Sequence, residues 1–179
     1  MNSEPEPQKD IAERLLSVLQ GDQFVLYCQP IVAFNPQPDA RAFNEIFVCF
    51  QEEDDRLLPP GAFFPVLEEA GMLPDLDRWV VDRLARFVRA GLEIDPDWNV
   101  PRYIVKLSDE TLADEEFGTY VRRYVDNAYL SGGVLGFDIS RDSALSNRES
   151  PLRDRFCTGV WACEGGAALS AFSALLSRR

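Results

Sequence analysis

Leu58-Pro59-Pro60-Gly61-Ala62-Phe63-Phe64-Pro65, then Glu68, Gly71-Met72-Leu73 and Leu76-Asp77-Arg78-Trp79-Val80, is the stretch on which the reading of this 179-residue chain turns. Its prolines and glycines close an extended segment and open a helical one. A short helix is expected from Gly61 to Ala70, with Gly71 as its stop. A longer one follows from Asp75 to Ala90, where Leu76, Trp79, Val80, Leu84, Phe87 and Val88 recur at helical spacing, and Gly91 is read as its end.

Upstream, Phe24 to Phe34 and Ala42 to Phe50 are rich in β-branched and aromatic residues and flank the proline-containing turn Asn35 to Asp39. The pair reads as an antiparallel hairpin. Before it, Asp10 and Glu13 have capping-box spacing. Ile11, Leu15, Val18 and Leu19 then fall at i, i+4, i+7 and i+8, and Gly21 ends a helix with one apolar face. Residues 1–9 carry charges and prolines without an apolar period, which predicts a disordered lead-in to a single domain over 10–179.

Downstream the pattern alternates. Strands are expected at Tyr103 to Leu107, Val134 to Ile139 and Val160 to Cys163. Helices are expected from near Asp114 through Phe117, Tyr120, Val121, Tyr124 and Val125, at Pro151 to Cys157, and at Ala168 to Leu176. Strands separated by helices argue for an α/β fold with parallel pairing and strands buried on both faces.

Composition narrows the function. Eighteen basic and 30 acidic residues give a net charge of −12, which repels nucleic acid phosphates and anionic lipid head groups. Neither a leader nor an apolar run long enough for a membrane span is visible, so the expected compartment is the cytoplasm. Cys28, Cys49, Cys157 and Cys163 lack CxxC spacing and the chain has no histidine, so the common zinc patterns are excluded.

The order of local motifs goes further. Phe24-Val25-Leu26-Tyr27-Cys28-Gln29-Pro30-Ile31-Val32 resembles the first strand of the EAL family of bacterial cyclic di-GMP phosphodiesterases, with its Gln-Pro-Ile-Val signature. Glu45-Ile46-Phe47-Val48-Cys49 occupies the Glu-Ala-Leu-Val-Arg position, and the stretch from Leu58 to Val80 follows the family almost position by position. Val105-Lys106-Leu107-Ser108 is similar to its Val-Asn-Leu-Ser strand, and Phe137-Asp138-Ile139-Ser140-Arg141 to its Phe-Glu-Ile-Thr-Glu strand. The segment Cys163-Glu164-Gly165-Gly166 sits where the family has Asp-Asp-Phe-Gly.

The resemblance implies a partial TIM-like barrel with an antiparallel first strand and about five of the expected strands, the family's later segments being absent after Leu176. It implies a site at the C-terminal strand ends, where Mg²⁺ or Mn²⁺ held by carboxylates and an Asn activates water against a phosphodiester.

Position by position, the implied ligand set is altered. Glu45, Asp138 and Glu164 keep carboxylates. Lys106 stands at the Asn position with no lone pair while charged. Arg141 reverses the charge of the second acid of its strand, Cys163 replaces an Asp with a soft ligand, and Cys49 removes the motif arginine that binds the dinucleotide. Gln29 and Pro30, with Glu45, are the residues left to contact a ligand.

The expectation is a catalytically inactive regulatory or protein-interaction module without a cofactor, working with a protein partner or as a homo-oligomer, and with Lys106 as a built-in cation between Glu45 and Asp138. Two alternatives stay open. One is a receptor that binds cyclic di-GMP without cleaving it. The other is a residual phosphodiesterase using Mg or Mn at Glu45, Asp138 and Glu164, completed by another subunit.

Overall fold

The computed structural model describes residues 23–32, 42–51, 56–126 and 133–139, with side chains from 124 to 126 left aside. Within them β1 (Phe24–Ile31), β2 (Phe43–Gln51) and β3 (Leu57–Leu58) are followed by α1 (Pro60–Glu69) and α2 (Leu73–Ile94). Then come β4 (Arg102–Lys106), α3 (Asp109–Ala113), α4 (Phe117–Asp126) and β5 (Leu135–Asp138).

The strands form one five-stranded sheet in the order β1-β2-β4-β5, with β3 pairing to the end of β2. β1 runs antiparallel to β2, as the hairpin reading required, while β2 to β4 and β4 to β5 are parallel. A partial TIM-like architecture with an antiparallel first strand is therefore what the chain adopts. Among the described residues the fifth strand of the sheet is the two-residue β3, and the strand expected at Val160 to Cys163 lies outside them, together with the expected helices at 10–20, 151–157 and 168–176.

Alternation along the strands sorts the residues into two faces. Ile46, Val48, Tyr103 and Val105 are buried and join Leu67, Leu76, Val80, Leu84 and Val88 of the helices in one core. Glu45, Phe47, Cys49, Ile104 and Lys106 project to the other face and are half-buried or exposed. Among the described residues β2 and β4 thus alternate, with one face buried more deeply than the other, while Leu135, Gly136 and Phe137 of β5 are buried in succession, as expected of a strand covered on both faces. At the start of β1, Phe24 is 1% exposed, and its ring meets Phe50, Phe63 and Trp79 at 5.5, 5.4 and 5.7 Å between centroids. These spacings suit edge and tilted aromatic pairing.

Gly71 ends α1 as read, with φ of 65°, and lets the Met72 N–H donate to the Leu67 carbonyl at 2.8 Å. Gly91 does not end α2, which continues to Ile94. A Cβ at Gly91 would lie 2.5 Å from the Trp98 ring, so this glycine serves close approach and not termination. Gly91→Ala is therefore expected to push Trp98 off Phe87, its edge-on partner at 6.0 Å, and to red-shift tryptophan emission. An unshifted spectrum would mean that the contact is not maintained in solution.

A helix absent from the sequence reading, α3, follows β4. Ser108 caps it by accepting from the Thr111 N–H, and Asp109 and Glu110 occupy its first turn. The helix expected near Asp114 begins at Phe117, since Asp114 is used to end α3. No helix of the described residues is long and apolar enough to cross a membrane.

Candidate functional site

Register decides which side chains share the open face. Gln29 pairs with Glu45, Glu45 with Ile104, and Ile104 with Gly136, so one row crosses four strands. Gly136 leaves the end of that row without a side chain. Lys106 pairs with Asp138 one pleat repeat further along, and Pro30 pairs with Asn44. From the strand spacing and the rise per residue, the Cα atoms of Glu45 and Lys106 are about 8 Å apart on the diagonal.

The structure therefore brings Gln29, Glu45, Lys106 and Asp138 onto one face. Cys49, a free thiol opposite Val25, is on that face four residues beyond Glu45. Arg141, Cys163 and Glu164 lie outside the described residues.

Burial raises the Asp138 carboxyl above its ordinary 3.8, while the Lys106 ammonium beside it and a hydrogen bond from the Ile139 N–H act in the opposite direction. Lys106 is thus the cation that Asp138 faces. Among the described residues no ion pair joins Lys106 to Glu45.

Among the described residues no three carboxylate or thiol groups stand close enough together to hold a metal ion. Glu45 and Asp138 offer two hard oxygen donors. Lys106, at the position where the resemblance implies an Asn, offers three N–H donors and a positive charge. The described donor set does not fit a divalent cation.

What holds the residues just past Lys106 escaped the sequence reading. Asp77, 4% exposed on α2, directs Oδ2 at the residues just past β4. The Ser108 N–H donates to it at 2.9 Å, the Ser108 hydroxyl at 2.8 Å and the Thr111 hydroxyl at 2.6 Å. The two hydroxyl oxygens are also 2.8 Å apart, so two protons serve three edges of a triangle. Leu107, between Lys106 and Ser108, donates its N–H to the Asp138 carbonyl at 3.0 Å, extending the β4–β5 pairing past the site. A detectable signal was present: a carboxylate beside the apolar positions Leu76 and Val80 needs buried donors, and Ser108-x-x-Thr111 supplies them.

Arg78, the next residue, pairs with Asp114 and with Asp75, the latter at 3.7 Å, and its carbonyl accepts from the Tyr120 hydroxyl at 2.9 Å. These contacts tie α2 to the segment that carries α3 and α4.

Burial raises the Asp77 carboxyl above 3.8, with its hydrogen bonds and Arg78 opposing. Because the folded value exceeds the unfolded one, the folded state binds the proton more tightly. The resulting stability is fully present below pH 3.8 and is lost as the pH rises through the elevated folded value. Asp77→Asn should flatten that part of the stability curve in denaturant titrations at a series of pH values. An identical slope in the two proteins would show that Asp77 does not titrate in this window.

The comparisons agree with this architecture. The family model described as the EAL domain matches residues 12–166. The signaling protein YkoW of Bacillus subtilis is 32% identical over 133 residues, 74% of this chain and 16% of YkoW. The cyclic di-GMP phosphodiesterase PdeF of Escherichia coli is 25% identical over 134 residues, 75% of this chain and 17% of PdeF.

The chain thus spans about one sixth of the length of these two relatives. Among solved structures, the EAL domain of FimX from Pseudomonas aeruginosa bound to c-di-GMP superposes with a TM-score of 0.72 at 23% identity, covering 93% of this chain and 66% of that one. Fold, motif order and family match together place the chain in the EAL domain family.

Proposed function

We propose that this chain is a non-hydrolysing EAL domain that works by binding, as a regulatory or protein-interaction module of cyclic di-GMP signalling. The observation that carries the reading is the Lys106–Asp138 register pair: an ammonium occupies the place where the family's chemistry needs a neutral oxygen donor. A divalent ion beside it would meet a like charge. At about 4 Å and an effective dielectric of about 20, two unit charges interact by about 4 kcal/mol, and exposure of Lys106 reduces that figure. The altered positions Arg141 and Cys163 point the same way in the sequence.

The test is turnover. Incubated with cyclic di-GMP and Mg²⁺ or Mn²⁺, the chain should release no linear dinucleotide. Metal-dependent release abolished by Glu45→Ala would overturn the proposal and establish the residual phosphodiesterase.

A receptor role is the second reading, and a specific observation favours it. The similar FimX domain is described as bound to c-di-GMP, and the present chain keeps Gln29 exposed on the open face beside Glu45. Loss of the motif arginine at Cys49 counts against tight binding. Titration calorimetry separates the two readings: heat that saturates at micromolar cyclic di-GMP and disappears in Gln29→Ala makes the chain a receptor, and no heat leaves the protein-interaction module.

A further inference from the structure

The lysine that spoils the donor set for a divalent ion is itself a cation with nothing bound to it. On the open face of the described strands the basic side chains are Arg102 and Lys106. Arg102 lies over the Phe43 ring, 5.3 Å from its centroid. Lys106, at the far end of β4, is exposed, and among the described residues no hydrogen bond or ion pair holds its ammonium. Asp138 acts on it across a longer gap.

Its neighbours on the face are also unengaged. Ile46 pairs with Val105, so Phe47 and Lys106 follow them in the next row, between Tyr27 on β1 and Asp138 on β5. Among the described residues neither the Tyr27 nor the Phe47 ring has an aromatic partner, whereas Phe24, Phe50 and Phe63 on the other face pair with one another. Tyr27 is 44% exposed. Two unstacked rings beside an unpaired ammonium suit a planar base and the phosphate attached to it.

We propose that the Lys106 ammonium is the cation on which a ligand's phosphate group docks, so that this face takes an organic phosphodiester without a metal ion. The inference rests on the receptor reading and specifies its chemistry.

Reach separates the ammonium from the acids around it. An extended lysine carries its charge about 3 Å further from the strand than an aspartate does. Lys106 is accordingly exposed where Asp138 is half-buried. A phosphate level with Glu45 and Asp138 would be repelled by both, whereas one at the tip of Lys106 meets N–H donors and a positive charge. With a net charge of −12 on the chain, an anion is held only where such a local cation stands clear of the acids. The same ammonium has no lone pair with which to coordinate and activate water, so docking there leads to retention of the ligand and not to its cleavage.

Titration calorimetry of the full chain with cyclic di-GMP, once in EDTA and once in Mg²⁺, tests the assignment. The wild-type chain should bind equally well in the two buffers, a comparison that needs no variant. Lys106→Met should weaken binding about tenfold or more in both, through loss of one charge-assisted contact. Lys106→Arg, which keeps the charge, should retain most of the affinity.

Binding that EDTA abolishes, or that Lys106→Met leaves unchanged, overturns the assignment and leaves the receptor reading standing. So does a loss in Lys106→Arg as large as that in Lys106→Met. No heat from the wild-type chain in either buffer overturns both.

Discussion

Asp77→Ala is expected to lower the stability of the fold by about 4 kcal/mol, a large part of the margin by which a domain of this size stays folded. Three donors converge on one carboxylate oxygen, and hydrogen bonds to a charged acceptor contribute about 1.5–3 kcal/mol each. Two effects offset part of that sum. Removing the carboxylate relieves its desolvation, and the Ser108 and Thr111 hydroxyls, already 2.8 Å apart, can bond to each other. The Ser108 N–H keeps no such substitute.

Asp77→Asn sharpens the argument, because an amide oxygen can take the place of Oδ2 and still accept. It should cost about 1 kcal/mol, so the two variants differ by about 3 kcal/mol. Thermal midpoints report the contrast: at roughly 2–4 °C per kcal/mol for a chain of this length, the alanine variant should melt about 10 °C lower. Equal midpoints for Asp77→Ala and wild type would mean that the network does not contribute to folding.

How much of this was legible in the sequence follows from which forces are local. The β1–β2 hairpin, the stop at Gly71 and the stripe on α2 were readable because turn chemistry and apolar period act within a few residues. Gly91 was misread for the same reason. In isolation a glycine after an apolar run is a helix stop, and only the approach of Trp98, seven residues on, reveals its use.

Short α3 has too few residues to show a period, although its cap was written in Ser108 and its acidic first turn. At the site, Glu45, Lys106 and Asp138 were singled out from the motifs alone, and the strand register places them on one face of the sheet. What the sequence did not settle was register. Only the pairing of Glu45 with Ile104, and of Lys106 with Asp138, reveals that the lysine faces the second acid directly and the first one diagonally.

That geometry sets the second large effect. Lys106→Asn should bind Mn²⁺ about ten to a hundred times more tightly than the wild-type chain, as followed by water-proton relaxation during titration. The gain has two parts that can be separated. Removing the ammonium ends its repulsion of a cation at the carboxylates, and a tenfold change in affinity corresponds to about 1.4 kcal/mol, well below the unscreened interaction of about 4 kcal/mol with a single unit charge at dielectric 20. The amide then adds an oxygen donor that Mn²⁺ accepts.

Lys106→Met removes the charge without adding the oxygen, so it should recover only the electrostatic part, and Glu45→Gln in the Lys106→Asn background should reverse most of the gain. The same lysine acts on Asp138 in the wild-type chain, where its charge opposes the rise caused by burial. Losing it should raise the Asp138 value further, in the direction that weakens the folded state at neutral pH. Were Lys106→Asn and wild type to bind Mn²⁺ alike, the lysine would not set the affinity for the metal, and the proposed absence of turnover would have to rest on Arg141 and Cys163.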